Sequence, residues 1–310
     1  MTSQAETFLQ NAAWKRRAKP RLSVLIPFKG DDPTPLLKAL DRQDAPVELV
    51  VLDDGSANPA LAERVGKVID LLRLPARLVR LETNEGRAKG RNRLVRHART
   101  DWLLFLDSDM VPDTPHFLSD WLDLIANENP AVAFGGFSLR WTTPNRRHAL
   151  HRRMALHSDC LRAAERREQP EKHVFTSNLL VRRDVFAAEA FDESFSGWGW
   201  EDVEWAMRVA RRWPITHVDI TATHLGLDTA GVIAGKYEQS AANFARVVAA
   251  HPEVVAGYPS YRVAKALKRA PLIKYWRQAL KAYALLEVAP VASRAFAMRL
   301  YRAALYAEAV

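Results

Sequence analysis

Through its first 130 residues the chain alternates short apolar runs with longer amphipathic stretches. Leu22–Pro27 (LSVLIP), Val47–Asp53 (VELVVLD) and Asp101–Leu106 (DWLLFL) are near-continuous apolar runs, and Ala76–Glu82 (ARLVRLE) alternates; all four predict strands. Pro33–Gln43, Asn58–Leu72, Gly86–Ala98 and Pro115–Glu128 predict the intervening helices, the first opened by prolines that suit a first helical turn. Buried strands separated by helices imply an α/β fold with a parallel sheet covered on both faces. The second half is less regular. Val132–Leu139 predicts a strand softened by glycines, Arg146–Glu168 a strongly charged helical stretch, and Val174–Arg182 another strand. A glycine–tryptophan loop, Phe191–Asp202, runs into a helix from Glu201 to about Arg212. Ile215–Ala222 predicts a further strand, followed by His224, and Ala230–Ala250 a helix. No internal repeat or low-complexity segment is visible.

Composition narrows this picture. The 310 residues are 48% apolar and 26% charged, ordinary globular values. A single cysteine, Cys160, excludes an internal disulfide framework and a cysteine-based zinc site, and fits a reducing compartment. The N-terminal 20 residues lack the apolar centre of a signal peptide. No run approaches the roughly 18 apolar residues of a spanning helix; the longest candidate, Ala282 to Ala292, is interrupted by Glu287. The net charge is +9, yet from Tyr261 to Val310 ten Lys/Arg stand against two Asp/Glu. A near-neutral body with a basic tail does not suit a nucleic-acid binder, and no nucleic-acid partner is expected.

In parallel α/β sheets, ligands collect beyond the carboxyl ends of the strands. Those ends here read Pro27-Phe28-Lys29-Gly30, Asp53-Asp54-Gly55-Ser56, Thr83-Asn84-Glu85-Gly86 and Asp107-Ser108-Asp109. Acidic residues there also serve as turn formers and helix caps, but four aligned polar ends would share one rim. Asp107 and Asp109, two hard oxygen donors on one short turn, suit Mg²⁺ or Mn²⁺ and leave coordination sites for water or phosphate. His224, unless it is an ordinary loop histidine, adds a nitrogen donor that favours Mn²⁺. Such a cation is useful against a departing diphosphate. Arg87, Lys89 and Arg91 open the third helix and either add charge near those phosphates or form a solvated basic face. The chain has no Walker A sequence and no G-x-G-x-x-G after its first strand. Glu201 and Asp202 suit a helix N-terminus, but beside Gly197-Trp198-Gly199-Trp200 they also suit a general base next to an aromatic sugar-stacking lid.

The motifs resemble the family 2 glycosyltransferases with the GT-A fold, on Ser23-Val24-Leu25-Ile26-Pro27, Val50-Val51-Leu52-Asp53-Asp54-Gly55-Ser56, Asn84-Glu85-Gly86 through Gly90-Arg91-Asn92, Leu106-Asp107-Ser108-Asp109 and Trp198-Gly199-Trp200-Glu201-Asp202, in that order over about residues 21 to 225. The Trp-Gly-x-Glu-Asp run followed by His224 also resembles the carboxyl half of galactosyltransferase and chondroitin-polymerase domains. The resemblance implies a Rossmann-like, mostly parallel sheet flanked by helices with a C-terminal helical extension. It implies a nucleotide-sugar donor, usually UDP-linked, with bound Mn²⁺ or Mg²⁺, and hexosyl or N-acetylhexosaminyl transfer to a glycan or lipid-linked acceptor in polysaccharide biosynthesis. By resemblance, Pro27, Asp53 and Asp54 line the nucleoside pocket, and Gly86 and Arg91 lie beneath the nucleotide. Asp107 and Asp109 form the DxD element, with Asp109 the direct metal ligand, and His224 is the later ligand. Asp202 is the base, Glu201 its acceptor-binding neighbour, and Trp198 covers the sugars; the mechanism is a single inverting displacement. Gly90 stands where the family commonly has alanine, and the first strand ends PFKG where a different polar residue is usual.

The expected organisation is an N-terminal basic segment (1–20), a catalytic domain (21–255, with nucleotide half 21–130 and acceptor half 131–255) and a basic helical tail (256–310). The basic-aromatic stripes at Leu267–Leu286 and Phe296–Tyr306 either pack on the body, form a dimer contact or make a peripheral membrane contact; a cytoplasmic place of action, at the inner membrane face in the last case, is expected. The competing enzyme class is a nucleotidyltransferase making the nucleotide-sugar; a noncatalytic basic binding protein fits the neutral body poorly.

Overall fold

The computed structural model describes residues 5–16 and 19–310. Four strands, β2 (Leu22–Phe28), β3 (Val47–Asp53), β4 (Ala76–Leu81) and β5 (Trp102–Leu106), run parallel in the order β4-β3-β2-β5. Their side chains are buried on both faces: Val24 and Ile26 belong to one hydrophobic layer and Leu25 to the other, which is why they read as continuous apolar runs. Helices α2 (Thr34–Asp41), α3 (Pro59–Leu71), α4 (Arg87–His97) and α5 (Phe117–Glu128) connect and cover them. These follow β1 (Glu6–Gln10) and a single helical turn, α1 (Ala12–Lys15). Strand β1 closes the sheet edge antiparallel to β4, and Arg77 stacks over both Phe8 and Trp14. Part of the N-terminal stretch thus belongs to the sheet.

The second half departs from the expected strands at two places. Val132–Leu139 divides into β7 (Val132–Phe134) and β8 (Phe137–Ser138), which lie in different sheets. A Cβ on Gly135 would lie 2.4 Å from Asn178 Nδ2, and Gly136 has φ +90°, so the glycines make a corner rather than a softened strand. Ile215–Ala222 likewise divides into β10 (Ile215–His217) and β11 (Ala222–His224), so His224 ends a strand rather than following one. Asn178 opens β9 (Asn178–Arg182) and fills the corner, donating to the carbonyls of Gly136 (3.0 Å) and Ile220 (2.8 Å). Strand β9 runs antiparallel between β5 and β7, so the sheet is mostly rather than wholly parallel, in the order β1-β4-β3-β2-β5-β9-β7-β10. A second sheet of three strands places β11 between β8 and β6 (Met110–Pro112).

The charged stretch 146–168 is not one helix. It forms a 3₁₀ turn, then α6 (Ala149–Ser158) and the short α7 (Ala163–Arg166). After α8 (Arg183–Ala188), the Trp-rich loop enters α9 (Glu201–Val209), and α10 spans Ala230–Ala250 as the sequence predicts. The tail forms α11 (Pro252–Val255), α12 (Pro259–Leu267), α13 (Ile273–Leu285) and α14 (Val291–Ala309), broken near Pro271 and Pro290 because proline interrupts the helical hydrogen bonding. Helix α14 buries Met298, Tyr301 and Tyr306 in a third core shared with α6, α9 and α10. The stripe from Phe296 to Tyr306 is therefore largely core, which realises the packing alternative for that helix. No described helix is long and apolar enough to cross a membrane.

Met298 is fully buried, so Met298→Ala should lower unfolding free energy by about 2–5 kcal/mol. Urea denaturation measures this; an unchanged midpoint would show that α14 is a loose appendage.

Candidate active site

The polar ends of β2, β3 and β4 are tied to one another. Asp54 N–H donates to the Phe28 carbonyl at 2.9 Å, and Gly30 N–H donates to the Ser56 hydroxyl at 2.7 Å. Asp53, 3% exposed, accepts from Ser56 N–H at 2.9 Å. Asp54 accepts from the N–H groups of Glu85 (2.7 Å) and Gly86 (3.1 Å). Burial raises the Asp54 pKa despite those donors. The turns approach so closely that a Cβ on Gly55, at φ +72°, would sit 2.5 Å from Asn84 N. Asp53 and Asp54 therefore hold the strand-end turns together, with half-buried Pro27 at the end of β2 and Gly86 at the start of α4.

Beneath this rim lies a buried cation. Arg91, on the first turns of α4, is 2% exposed; its Nη2 donates to Asp107 Oδ1 at 2.9 Å and its Nη1 faces Glu201 Oε1 at 3.4 Å. Arg87, 40% exposed, donates from Nε to the same Glu201 oxygen at 2.6 Å and lies 3.9 Å from Asp107. The two arginines join the strand-end turn at residues 107–109 to the N-terminus of α9, segments that are far apart in sequence. Burial opposes ionisation of Glu201, but the charges of Arg87 and Arg91 hold it below the ordinary glutamate range. Asp202 has no comparable cation contact. Burial, then the charge of Glu201, push it up to about 7 against the pull of both arginines. Adjacent carboxyls thus differ sharply in acidity, Glu201 ionised and Asp202 titrating near neutrality.

Asp109 and His224 meet as predicted, with Asp109 Oδ2 and His224 Nε2 3.1 Å apart. The antiparallel pairing of β6 with β11, which sets His224 opposite Met110, brings them together. Burial opposes ionisation of Asp109, but the His224 hydrogen bond and charge hold its pKa low. Gly226 leaves them open: a Cβ there would lie 1.9 Å from Asp109 Oδ2. Among the described residues, no three His, Cys, Asp or Glu side chains are grouped so that they could hold a metal ion by themselves.

The Trp loop is held from behind. Asn243 donates to the carbonyls of Ser196 and Gly199, both at 2.9 Å. Trp200 takes a left-handed conformation, φ +76°, immediately before Glu201. Its indole donates to Tyr306 Oη at 3.0 Å and packs on Phe244 with ring centroids 4.9 Å apart. Trp198, half-buried like Trp200, lies 6.3 Å from the Tyr237 ring, with Lys236 Nζ 5.7 Å above it.

Sequence reasoning missed His151, on α6, whose ring centroid lies 5.9 Å from that of His224. Its Nδ1 accepts from Asp228 N–H at 2.7 Å. Burial, then the charge of His224, push its pKa down to about 4. It also missed Lys236, paired with Asp228 at 2.6 Å, and Gly226. None carried a local signal: His151 sits in a stretch rich in His and Arg, and Gly226 matters only through what it touches.

The model of glycosyl transferase family 2 matches residues 23–188. A curated relative from Haemophilus influenzae, described as an uncharacterized glycosyltransferase, is 35% identical over 92 residues, covering 28% of this chain and 29% of that protein. Two solved structures share the fold. The mannosyltransferase PcManGT from Pyrobaculum calidifontis, in complex with GDP-Man and Mn²⁺, superposes with a TM-score of 0.58 at 16% identity, over 93% of this chain and 86% of that one. S. aureus TarS 1–349 in complex with UDP-GlcNAc gives 0.50 at 18% identity, over 93% and 90%.

The raised Asp202 pKa has a stability consequence. A carboxyl that holds its proton more tightly folded than unfolded is harmless below its ordinary pKa of 3.8, costs stability progressively as pH rises from there to about 7, and costs no more above that. Asp202→Asn should therefore raise the melting temperature at pH 8 but leave it nearly unchanged at pH 4; a uniform shift at both would contradict the burial argument.

Proposed function

The chain belongs to glycosyl transferase family 2, and from that premise we propose that it is a metal-dependent, inverting glycosyltransferase moving a hexosyl or N-acetylhexosaminyl group from a UDP-sugar to a hydroxyl of a glycan or lipid-linked acceptor in polysaccharide synthesis. One observation carries the proposal: Arg91 holds Asp107 and Glu201 in one cluster, which puts the diphosphate turn beside the carboxyl pair at the start of α9. In this reading residues 21–130 hold the nucleotide, 131–255 the acceptor, and 256–310 close the acceptor side. Pro27, Asp53, Asp54 and Gly86 form the nucleoside rim, and Arg87 faces the phosphates.

The Asp109–His224 pair fits a divalent cation. It offers one hard oxygen and one nitrogen donor, Asp107 lies on the same turn, and Gly226 supplies the space. Such an ion supplies charge neutralisation at the departing diphosphate. Asp202 takes the proton from the acceptor hydroxyl as its oxygen attacks the anomeric carbon and the bond to the nucleoside diphosphate breaks. Glu201, kept ionised by the arginines, orients the acceptor, and the Trp198 face stacks on sugar. A carboxyl near neutrality suits proton transfer better than one at ordinary acidity.

The direct test is incubation with UDP-, GDP- and CMP-sugars and Mn²⁺. Release of nucleoside diphosphate supports transfer; release of pyrophosphate would support a nucleotidyltransferase. Turnover should rise with pH and level off above about 7, and Asp202→Asn should lower kcat by about 10²–10⁴-fold while sparing donor binding. A flat pH profile or near-normal kcat would remove Asp202 from the chemistry. Asp109→Ala should abolish the EDTA-sensitive part of donor affinity measured by calorimetry; equal affinity with and without EDTA in the parent protein would refute the metal role.

A further inference from the structure

From Asn129 to Ser158 the sequence contains five arginines and no Asp or Glu. Four of them, Arg146, Arg147, Arg152 and Arg153, fall on the 3₁₀ turn and helix α6. Their visible contacts go to neutral groups. Arg146 Nη2 donates to the Glu287 carbonyl at 3.3 Å, and Arg152 Nη1 donates to the Thr142 hydroxyl. Among the described residues, no carboxylate forms an ion pair with any of the four. This is a cationic surface without a carboxylate partner, unlike the arginines of the site, Arg87 and Arg91, which are both ion-paired.

The arginines border a shallow, open depression of about 410 Å³, lined by Arg146, Arg152 and Arg153 with Ala149, Leu156 and Val291. The Arg146–Glu287 bond fixes the loop between α13 and α14 at its rim, where Leu286 is 49% and Val288 79% exposed. Leu156, in the wall of the depression, is 51% exposed. Exposed aliphatic side chains among unpaired arginines are costly in water and favourable at the boundary between lipid headgroups and acyl chains. Helix α6 also carries His151, which faces His224, so a single helix separates this depression from the catalytic cluster.

We propose that the depression and its rim form a docking surface for an anionic lipid bilayer, with the arginines holding a lipid phosphate and Leu156, Leu286 and Val288 entering the apolar boundary. The lipid site stands on its own geometry; its role in presenting a lipid-linked acceptor rests on the glycosyltransferase reading. The location differs from the Phe296–Tyr306 stripe that the sequence suggests, because much of that stripe is core, and it touches the Leu267–Leu286 stripe only at Leu286.

The test is co-sedimentation of the full chain with vesicles of phosphatidylglycerol and phosphatidylcholine, against vesicles of phosphatidylcholine alone. The protein should bind the first and not the second, and binding should fall with salt. Each arginine near an anionic bilayer is worth about fivefold in partitioning, so Arg146→Gln with Arg153→Gln should weaken binding by about 30-fold. Val288→Asp and Arg153→Glu, both at exposed positions, provide variants with no structural bond to lose. All should keep nucleoside diphosphate release from the donor. Equal binding to both vesicle types, no binding to either, or parent-like binding by the variants would overturn the proposal. So would complete competition by inorganic phosphate, which would assign the arginines to a free anion. Absence of nucleoside diphosphate release with vesicle binding intact would overturn the catalytic reading and leave the lipid site standing.

Discussion

The bridge from Asp107 through Arg91 to Glu201 organises this molecule. A guanidinium 2% exposed cannot be left without acceptors, since a lone buried charge costs several kcal/mol. Arg91 therefore fixes where the β5 turn and the start of α9 must lie relative to each other. Arg87 repeats the link from the adjacent helical turn. The consequence is electrostatic as well as geometric. Glu201 receives both cations and stays ionised; Asp202, next in the chain, receives neither directly and carries the burden of burial beside a fixed negative charge.

The second constraint is the corner at Gly135 and Gly136. It sends the chain out of the main sheet and into the three-stranded one, where β11 pairs with β6. Asn178 closes that corner with two hydrogen bonds to backbone carbonyls that the split strands leave available. His224 reaches Asp109 only because of this arrangement. Gly226 then admits the approach, since any side chain there would displace the Asp109 carboxylate.

The C-terminal helices also support the site. Tyr306 on α14 stacks on Phe244 at 4.2 Å between ring centroids and accepts from the Trp200 indole. A tryptophan in the left-handed region is strained by roughly 1–2 kcal/mol, and this aromatic packing offsets it. The conformation of Trp200 sets the first turn of α9, so the tail touches the Trp loop directly rather than hanging as a separate appendage. Helix α14 turns Tyr301 and Tyr306 inward, whereas Tyr275 on α13 stays exposed.

The sequence by itself determined the parallel strands, their intervening helices and the polar rim. Burial on both sheet faces demands apolar runs, as in Val47–Asp53, and strand-end chemistry is local in sequence. It also placed Asp107 and Asp109 on one turn, though not their different partners, Arg91 and His224. Tertiary structure alone decided that Arg91 lies buried beneath the site, that Val132–Leu139 and Ile215–Ala222 each split between two sheets, and that His151 and Gly226 belong beside His224. Those features depend on packing between segments scores of residues apart. A lone glycine or histidine gives no periodic signal of what the fold will bring against it, and a basic residue reads the same whether it meets water or a buried carboxylate.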